Sequence, residues 1–386
     1  MRNLKYIIVI SLLTITALNC KEVYNPPSVR NNPFLLVVDG IIFNGNDSSK
    51  ITISRTKSLS DTAPQVKEPG ARVSVVGVTG VEFPLTESGS GLYVTDHLLL
   101  DASQQYQLKI LTGDGNEFRS ELSNVHPSPP MDSIYWTQDS AGAHIYVNTH
   151  DPSNNTRYYR YEYGETWQYY SDFDSFLEYI NENNIIPRPL SNQIYRCYQS
   201  DRSTNIEVTS TAKLSLDIVY KYEAVFIPTG SIKISALYSA LIKQYAITEE
   251  AFNYWTNLKK NTEQLGTLFD LQPFSELGNI KCMNDPDIKC IGFINFTTLQ
   301  QQRMFISRND LANWNYQPYY GKCLLLYDSP FLIYTHFQPP GGPYGNSLIG
   351  QGLDTVFHLP VYLYSTNLCV DCTYNGGSPV KPSYFP

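Results

Sequence analysis

The chain has no excess of basic residues, no second long apolar run and no recognisable catalytic motif. Lysine and arginine number 28 against 36 aspartates and glutamates in 386 residues, a formal charge of −8. A nucleic-acid binder needs a basic stripe to displace counterions, and this composition excludes that class. Adhesion to anionic lipid by charge is excluded for the same reason. After residue 18 nothing approaches 18 consecutive apolar residues, so no second membrane segment is expected. There is no G-x-S-x-G elbow: Gly89-Ser90-Gly91 follows Glu87 and reads as a turn. H-E-x-x-H and a Walker-type phosphate loop are also missing. The histidines at 97, 126, 144, 150, 336 and 358 lack metal-ligand spacing, and Asp39, Asp47, Asp61, Asp285 and Asp287 compose no calcium loop. Neither metal nor cofactor is expected. His150-Asp151 is an adjacent pair in a turn, whose side chains point apart, and reads as structural.

What is present begins at the amino terminus. Arg2 and Lys5 precede the apolar run Tyr6–Leu18, which stops at Ala17-Leu18-Asn19-Cys20. Charge, then an apolar stretch too short for a settled span, is a secretory leader. A cysteine closing such a run is where bacterial lipoproteins are cleaved and acylated, so Cys20 is the expected lipid-attachment residue. The alternative is an ordinary leader with an incidental cysteine. Loss of residues 1–19 removes two basic residues and no acid, taking the formal charge to −10. One acyl chain holds a protein only marginally, whereas several anchor it firmly. Thirty tyrosines beside 17 phenylalanines suit half-buried strand faces and wet binding surfaces.

Residues 20–33, with Pro26-Pro27, read as a stand-off linker. From Phe34 to Ser123 the pattern is all strand. Ile51 and Ile53, Val73 and Val75, and Tyr106, Leu108 and Ile110 alternate with polar residues, and Pro69-Gly70 and Gly113-Asp114-Gly115 punctuate them. That spacing predicts an immunoglobulin-like β-sandwich over 34–127. His126-Pro127-Ser128-Pro129-Pro130 marks its boundary, because prolines remove donors and hold an extended chain. The remainder, 128–386, reads as a β-rich α+β domain with two helices. One helix is expected where Phe173, Phe176, Leu177 and Ile180 recur at helical spacing. The other runs over Glu249–Gln264, capped by Thr248 and stopped by Gly266. Strands are expected at Ser133–Trp136, Ala143–Val147, Arg157–Tyr163, Cys290–Phe296, Arg303–Ile306, Cys323–Leu326 and Thr355–Leu363, with Gln338–Asn346 and Thr373–Pro386 as loops over the body.

No cysteine lies between Cys20 and Cys197, so the amino-terminal third must be held by its core alone. Six remain: Cys197, Cys282, Cys290, Cys323, Cys369 and Cys372. An even number in an exported chain reads as disulfides, with 15 possible pairings. Cys282 and Cys290 flank a turn-like segment, where a hairpin crosslink would stabilise by about 2–3 kcal/mol. Cys369-x-x-Cys372 is followed by Thr373-Tyr374-Asn375-Gly376-Gly377, which cannot form the helix a redox pair needs to lower its thiol pKa. A zinc knuckle would need a second close pair. Structural disulfides, to each other or to distant partners, are expected instead.

An ordered series of short motifs carries a resemblance. Cys20-Lys21-Glu22, Leu36-Val37-Val38-Asp39-Gly40, Pro69-Gly70-Ala71-Arg72-Val73 and Gly91-Leu92-Tyr93 come first. Pro130-Met131-Asp132-Ser133-Ile134-Tyr135 follows, then Tyr238 through Glu250, Tyr254-Trp255, Leu258-Lys259 and Leu268-Phe269-Asp270. Gly278-Asn279-Ile280, Cys290-Ile291-Gly292-Phe293, Cys369-x-Asp371-Cys372, Gly376-Gly377 and Lys381-Pro382 complete it. Together they resemble the family called domain of unknown function 4249. The resemblance implies an outer-membrane lipoprotein with an amino-terminal module like the carboxypeptidase regulatory domain, working beside a TonB-dependent receptor barrel in nutrient uptake. It implies no catalytic residues. Lys21-Glu22 partly resembles the signal that sends such lipoproteins to the cell surface. Tyr384-Phe385-Pro386 stands where the family tends to carry a tryptophan after Lys-Pro. The expected function is thus non-enzymatic, as an accessory or ligand-capture lipoprotein. A glycan- or peptide-binding module without a transporter is the alternative, and a cryptic hydrolase is the third reading. Intact-mass analysis of membrane-extracted protein should show a chain that begins at acylated Cys20; an unmodified product would remove the anchor.

Overall fold

The computed structural model describes residues 34–57, 64, 66–181, 184–263, 277–318, 320–337 and 345–386. The leader 1–19, Cys20, the 20–33 linker, Gly266, the 268–270 motif and most of 338–346 lie outside the described residues. Seven strands make one antiparallel path in the first body. In order across the sheet they are Leu36–Phe43, Ser49–Arg55, Leu92–Thr95, Glu82–Gly89, Arg72–Gly77, Gln105–Leu111 and Glu117–Ser120. Alternation decides which faces are buried: Ile51, Ile53, Val73, Val75, Leu108 and Ile110 all enter one core. The chain is mainly β, as its pattern predicts.

That body does not end at residue 127. Ile280–Cys282 pairs antiparallel with Glu117–Ser120, Cys290–Ile291 runs parallel to Leu36–Val37, and Phe296–Thr297 runs parallel to Ile42–Phe43. Ile280, Cys282, Cys290, Ile294 and Phe296 are buried in the same core as the early strands. The 34–127 boundary is therefore corrected: a segment from the second half of the chain completes the first body. Two glycines make the fit possible. Gly278 and Gly292 bridge each other with φ of +120° and +149°. A Cβ on Gly278 would lie 1.7 Å from the Gly292 carbonyl oxygen, and one on Gly292 would lie 2.1 Å from that of Val38. No other residue allows backbones so close.

Cys282 and Cys290 are free and buried within this core, which corrects the expected hairpin crosslink. Each thiol packs as a small hydrophobe. Burial, with the Cys282 thiol close by, pushes Cys290 up to about 12, so little thiolate is available to attack a disulfide.

The second body is itself a sandwich. Met131–Gln138, Gly142–His150 and Ile218–Pro228 form one sheet; Arg196–Arg202, Tyr158–Tyr170, Leu237–Ala246 and Leu299–Ser307 form the core of the other. Glu207–Ser210 adds a fifth strand beside Tyr158–Tyr161, so three strands face five in the two-sheet layering of immunoglobulin-like folds. Odd-numbered residues of Tyr158–Tyr170 point inward. Four tyrosines fill the interior with each hydroxyl bonded: Tyr159 to Asp217 at 2.5 Å, Tyr161 to Gln244 at 3.0 Å, Tyr169 to the Cys372 carbonyl at 2.8 Å, and Tyr238 to Glu165 at 3.0 Å. Much of the tyrosine excess is thus core, not binding surface.

The helix Glu249–Glu263 forms where it is predicted, and it lies at the junction of the two bodies. Tyr254 and Trp255 are buried; Tyr254 meets Phe293 of the completing segment at 5.5 Å, and Arg160 stacks over Trp255 at 3.8 Å. The helix predicted around Phe173–Ile180 is corrected. Leu177–Asn181 is a strand paired with Asn184–Pro187. Leu177 and Tyr179 turn inward while Phe176 and Ile180 are exposed, a period of two that overrides the helical spacing. Among the described residues the other α-helix is the short Asn367–Val370.

A third, smaller unit holds Leu326–Asp328, Pro360–Thr366 and Asn346–Leu353. Cys323–Cys369 and Cys197–Cys372 join it to itself and to the second sandwich. The tail crosses that sandwich: Phe385 is buried against Tyr198 and Phe305, and Arg303 stacks on Tyr384 at 3.7 Å. Replacing Phe296 by Ala should cost about 3–5 kcal/mol in chemical denaturation. Gly292→Ala should also destabilise. Unchanged midpoints would show that the 277–297 segment is not integral to the first core.

Candidate functional site

The proline run expected as a domain boundary is a clamped structural rod. Ser128 and Pro129 are buried. Prolines present carbonyls without amides, so the rod chiefly needs donors. Gln244 donates to the Pro129 carbonyl at 2.8 Å and Thr149 donates to that of Pro130 at 2.9 Å. The Ser128 amide donates to the Thr298 hydroxyl at 2.8 Å, its hydroxyl donates to the Thr298 carbonyl at 2.7 Å, and the Ala246 amide donates back to that hydroxyl at 2.6 Å. The His126 amide donates to the Phe296 carbonyl at 2.9 Å.

Beside this rod lies a cleft of about 570 Å³, with 151–158 and 246–250 as its other walls. That is within the size range of small-molecule and short-peptide sites. One wall is a loop closed by Asp151. Its carboxylate accepts from the Ser153 amide at 2.9 Å and hydroxyl at 2.7 Å, and from the Asn155 and Thr156 amides at 3.0 and 2.8 Å. Burial would raise its pKa, but these donors outweigh it and hold Asp151 at about 2. Arg157 points at the Thr211 and Leu214 carbonyls. The opposite wall is the start of the long helix, where Thr248 caps the Ala251 amide at 3.2 Å and Glu249 and Glu250 follow. His126 is partly buried and its pKa is pulled down by desolvation against the opposing pull of Glu250. The cleft is thus walled by three carboxylates, a neutral imidazole and Arg157, whose guanidinium is turned to backbone carbonyls. Its serine hydroxyls are committed: Ser128 to the Thr298 carbonyl, Ser153 to Asp151.

Of the sequence-predicted residues, none of the six cysteines lines this cleft. Cys369 and Cys372 bond to distant partners rather than to each other, one of the two structural arrangements expected. Asp172 stands near Cys323 and Cys369, but those sulfurs are joined and cannot serve as thiolate ligands. His150 meets Asp132 at 2.8 Å rather than its neighbour Asp151. His144 lies between Asp139 and Glu223, and His336 beside Asp328. The cleft itself was legible only as Pro127–Pro130; Asp151 and Glu249–Glu250 lie far apart in sequence and carry no shared motif.

Protonation should loosen these walls. Asp151 is held below its unfolded value, so its contribution is complete above about pH 4 and lost as the pH falls toward 2. Lowered His126 acts in the same direction: its contribution is complete above about pH 6.5 and declines below it. Thermal unfolding of Asp151→Ala should show its largest deficit near neutral pH and a deficit that narrows toward pH 2. A constant deficit across that range would show that the charge of Asp151 is irrelevant.

No curated protein matches the chain. Among solved structures it is similar to a two-domain fibronectin type III segment of chicken tenascin (11% identity, 55% of this chain, 89% of that one, TM-score 0.16). It is also similar to chitinase ChiA74 from Bacillus thuringiensis (9%, 46% and 29%, 0.14) and to the Yersinia pseudotuberculosis adhesin InvE (15%, 55% and 55%, 0.15). The chain spans 29% and 55% of those last two. The match that covers most of the chain is to a family, over residues 21–303, from the residue after Cys20 into the last strand of the second sandwich. The protein belongs to the family described as Domain of unknown function (DUF4249).

Proposed function

We propose that this protein is a non-enzymatic, lipid-anchored outer-membrane lipoprotein that captures a ligand for, or docks beside, a TonB-dependent receptor barrel in nutrient uptake. The observation that carries the reading is the cleft beside Pro127–Pro130. Its size suits a small ligand, its walls come from segments remote in sequence, and Asp151 and Arg157 among its ionisable groups are spent on holding those walls. Covalent catalysis by a serine needs its hydroxyl free and beside an acceptor of its proton. Here Asp151 accepts from four donors of its own loop, and the Ser128 hydroxyl is fixed between Thr298 and Ala246. Such a cleft is organised to bind.

Attachment through Cys20 and exposure at the cell surface, with Lys21-Glu22 behind the lipid, place this cleft where extracellular nutrients arrive. The formal charge of −10 after removal of the leader favours neutral or cationic ligands over nucleic acid. Co-purification from native membranes should recover a TonB-dependent barrel with the lipoprotein. Recovery of the lipoprotein alone, with clear hits on a glycan or peptide array, would replace this reading by a free-standing binding module.

A further inference from the structure

The third unit is fastened at one end and apolar at the other. At the fastened end Leu326 pairs with Tyr364, the Ser365 hydroxyl donates to the Leu324 carbonyl, and Cys323–Cys369 closes the corner. Following the register away from it, Asp328 faces Tyr362 and Leu353 faces Pro360. The chain turns there twice, through Ser329–Leu332 and through 354–359. Those two turns expose Phe331 (90%), Leu332, Leu353, Val356 (71%), Phe357 (77%) and Leu359. Large side chains are rarely left in water so completely and so close together without a counterpart.

Three features identify that counterpart. First, the tip projects: the side chains stand on turns at a sheet end, as insertions, not walls of a groove. Second, it is almost without charge. Residues 329–337 and 353–360 contain no lysine or arginine and one carboxylate, Asp354, in a protein whose formal charge is otherwise strongly negative. Third, its loops satisfy much of their own backbone. Asp354 accepts from the amides of Val356, Phe357 and Leu359 at 2.8, 2.6 and 2.9 Å, and the Asp354 amide donates to the Leu359 carbonyl at 2.9 Å. Leu332 and Ile333 donate to the Ser329 carbonyl at 3.1 and 3.0 Å, and Pro330 has no amide hydrogen. A protein partner would leave such loops free to use those groups. At a bilayer interface, amides already settled internally lower the cost of leaving water.

We propose that the paired turns 329–332 and 354–359 form a membrane-docking tip that inserts Phe331, Val356 and Phe357 into the headgroup region of a zwitterionic phospholipid surface. The inference rests on the lipoprotein reading only in needing a bilayer within reach. The chain from Cys20 to Phe34 can span at most about 50 Å, so an anchored body is held close to one. Insertion to the depth of an interfacial anchor would fix which way the body faces, without any basic residue.

The test uses the disulfide-intact chain from Lys21, which carries no acyl group, with phosphatidylcholine vesicles. Cosedimentation should be measurable and unaffected by added salt. It should fall about tenfold or more in Phe331→Asp/Phe357→Asp, while Val78→Asp, a change at an exposed apolar position of the first body, leaves it intact. Phe357→Trp should shift its emission to shorter wavelength on vesicles and be quenched by brominated lipid. Equal melting temperatures for all variants exclude misfolding as the cause. Absence of vesicle binding by the parent chain, or a concentration-dependent dimer that the double substitution abolishes, would overturn the proposal. Cys20 acylation is read separately from the intact mass, so either idea can fail alone.

Discussion

The clamp on Ser128 and its flanking prolines is the constraint on which the rest of the molecule depends. It joins the end of the first body to the long strand Leu237–Ala246 of the second and to the 297–300 corner that leaves the first core. Each bond is worth about 1 kcal/mol net, but the asymmetry matters more. Removing one partner would strand the buried Gln244 amide or Ser128 hydroxyl, at about 1–3 kcal/mol each. The prolines shorten the accounting by presenting few amides, so a handful of side chains suffices to fix the rod. With the rod fixed, Asp151 and the helix start are held opposite one another. Both of those walls border paired strands of the second sandwich, where Tyr159 faces Ala246, and the rod closes the remaining side of the cleft.

Rigidity of the second sandwich comes from an unusual interior. Glu165 is fully buried, yet Lys233 pairs with it, Tyr238 donates to it, and the lysine lies over Trp167. Asp217 is equally buried and takes the hydroxyls of Tyr159 and Thr211. A buried carboxylate is costly when alone and acceptable when every lone pair is used. These networks explain how tyrosines can fill a core: each of the four phenols keeps a hydrogen-bond partner while its ring fills space. Burial and the neighbouring carboxylates push the phenols of Tyr159 and Tyr238 well above their ordinary range, so they stay protonated donors.

How much of this could be read from the sequence follows from the range of each interaction. Alternation identified Ser49–Arg55, Arg72–Gly77 and Gln105–Leu111, because which face is buried is a local property of a strand. The long helix was legible through Thr248, its two glutamates and the stripe of Phe252, Trp255 and Leu258. The completion of the first body was not. Ile280–Cys282, Cys290–Ile291 and Phe296–Thr297 are two or three residues long, too short for a period to register, and their partners lie more than 150 residues away. Phe173, Phe176, Leu177 and Ile180 matched a helix by spacing, but Leu177 and Tyr179 had a hydrophobic surface to meet only in the folded chain. For the cleft, the proline run was visible; that Asp151 and Glu249 would face it was not, since nothing local links them.

The cysteines show why counting them succeeded in part. The first sandwich has a broad core with no staple inside it: Cys282 and Cys290 serve as ordinary small apolar groups and stay unpaired, whereas Cys197–Cys372 is buried in the core of the second. The third unit is different. Its two clusters contain three fully buried residues apiece, too little apolar area to hold three short strands against chain entropy. Two crosslinks lie there, one within the unit and one across 175 residues to the second sandwich, so the unfolded chain is restrained where the folded one is weakest. A unit held by sulfur need not turn all its apolar residues inward. Phe331, Val356 and Phe357 can face outward at its far end because Cys323–Cys369 and Cys197–Cys372 have taken over the work that burying them would have done.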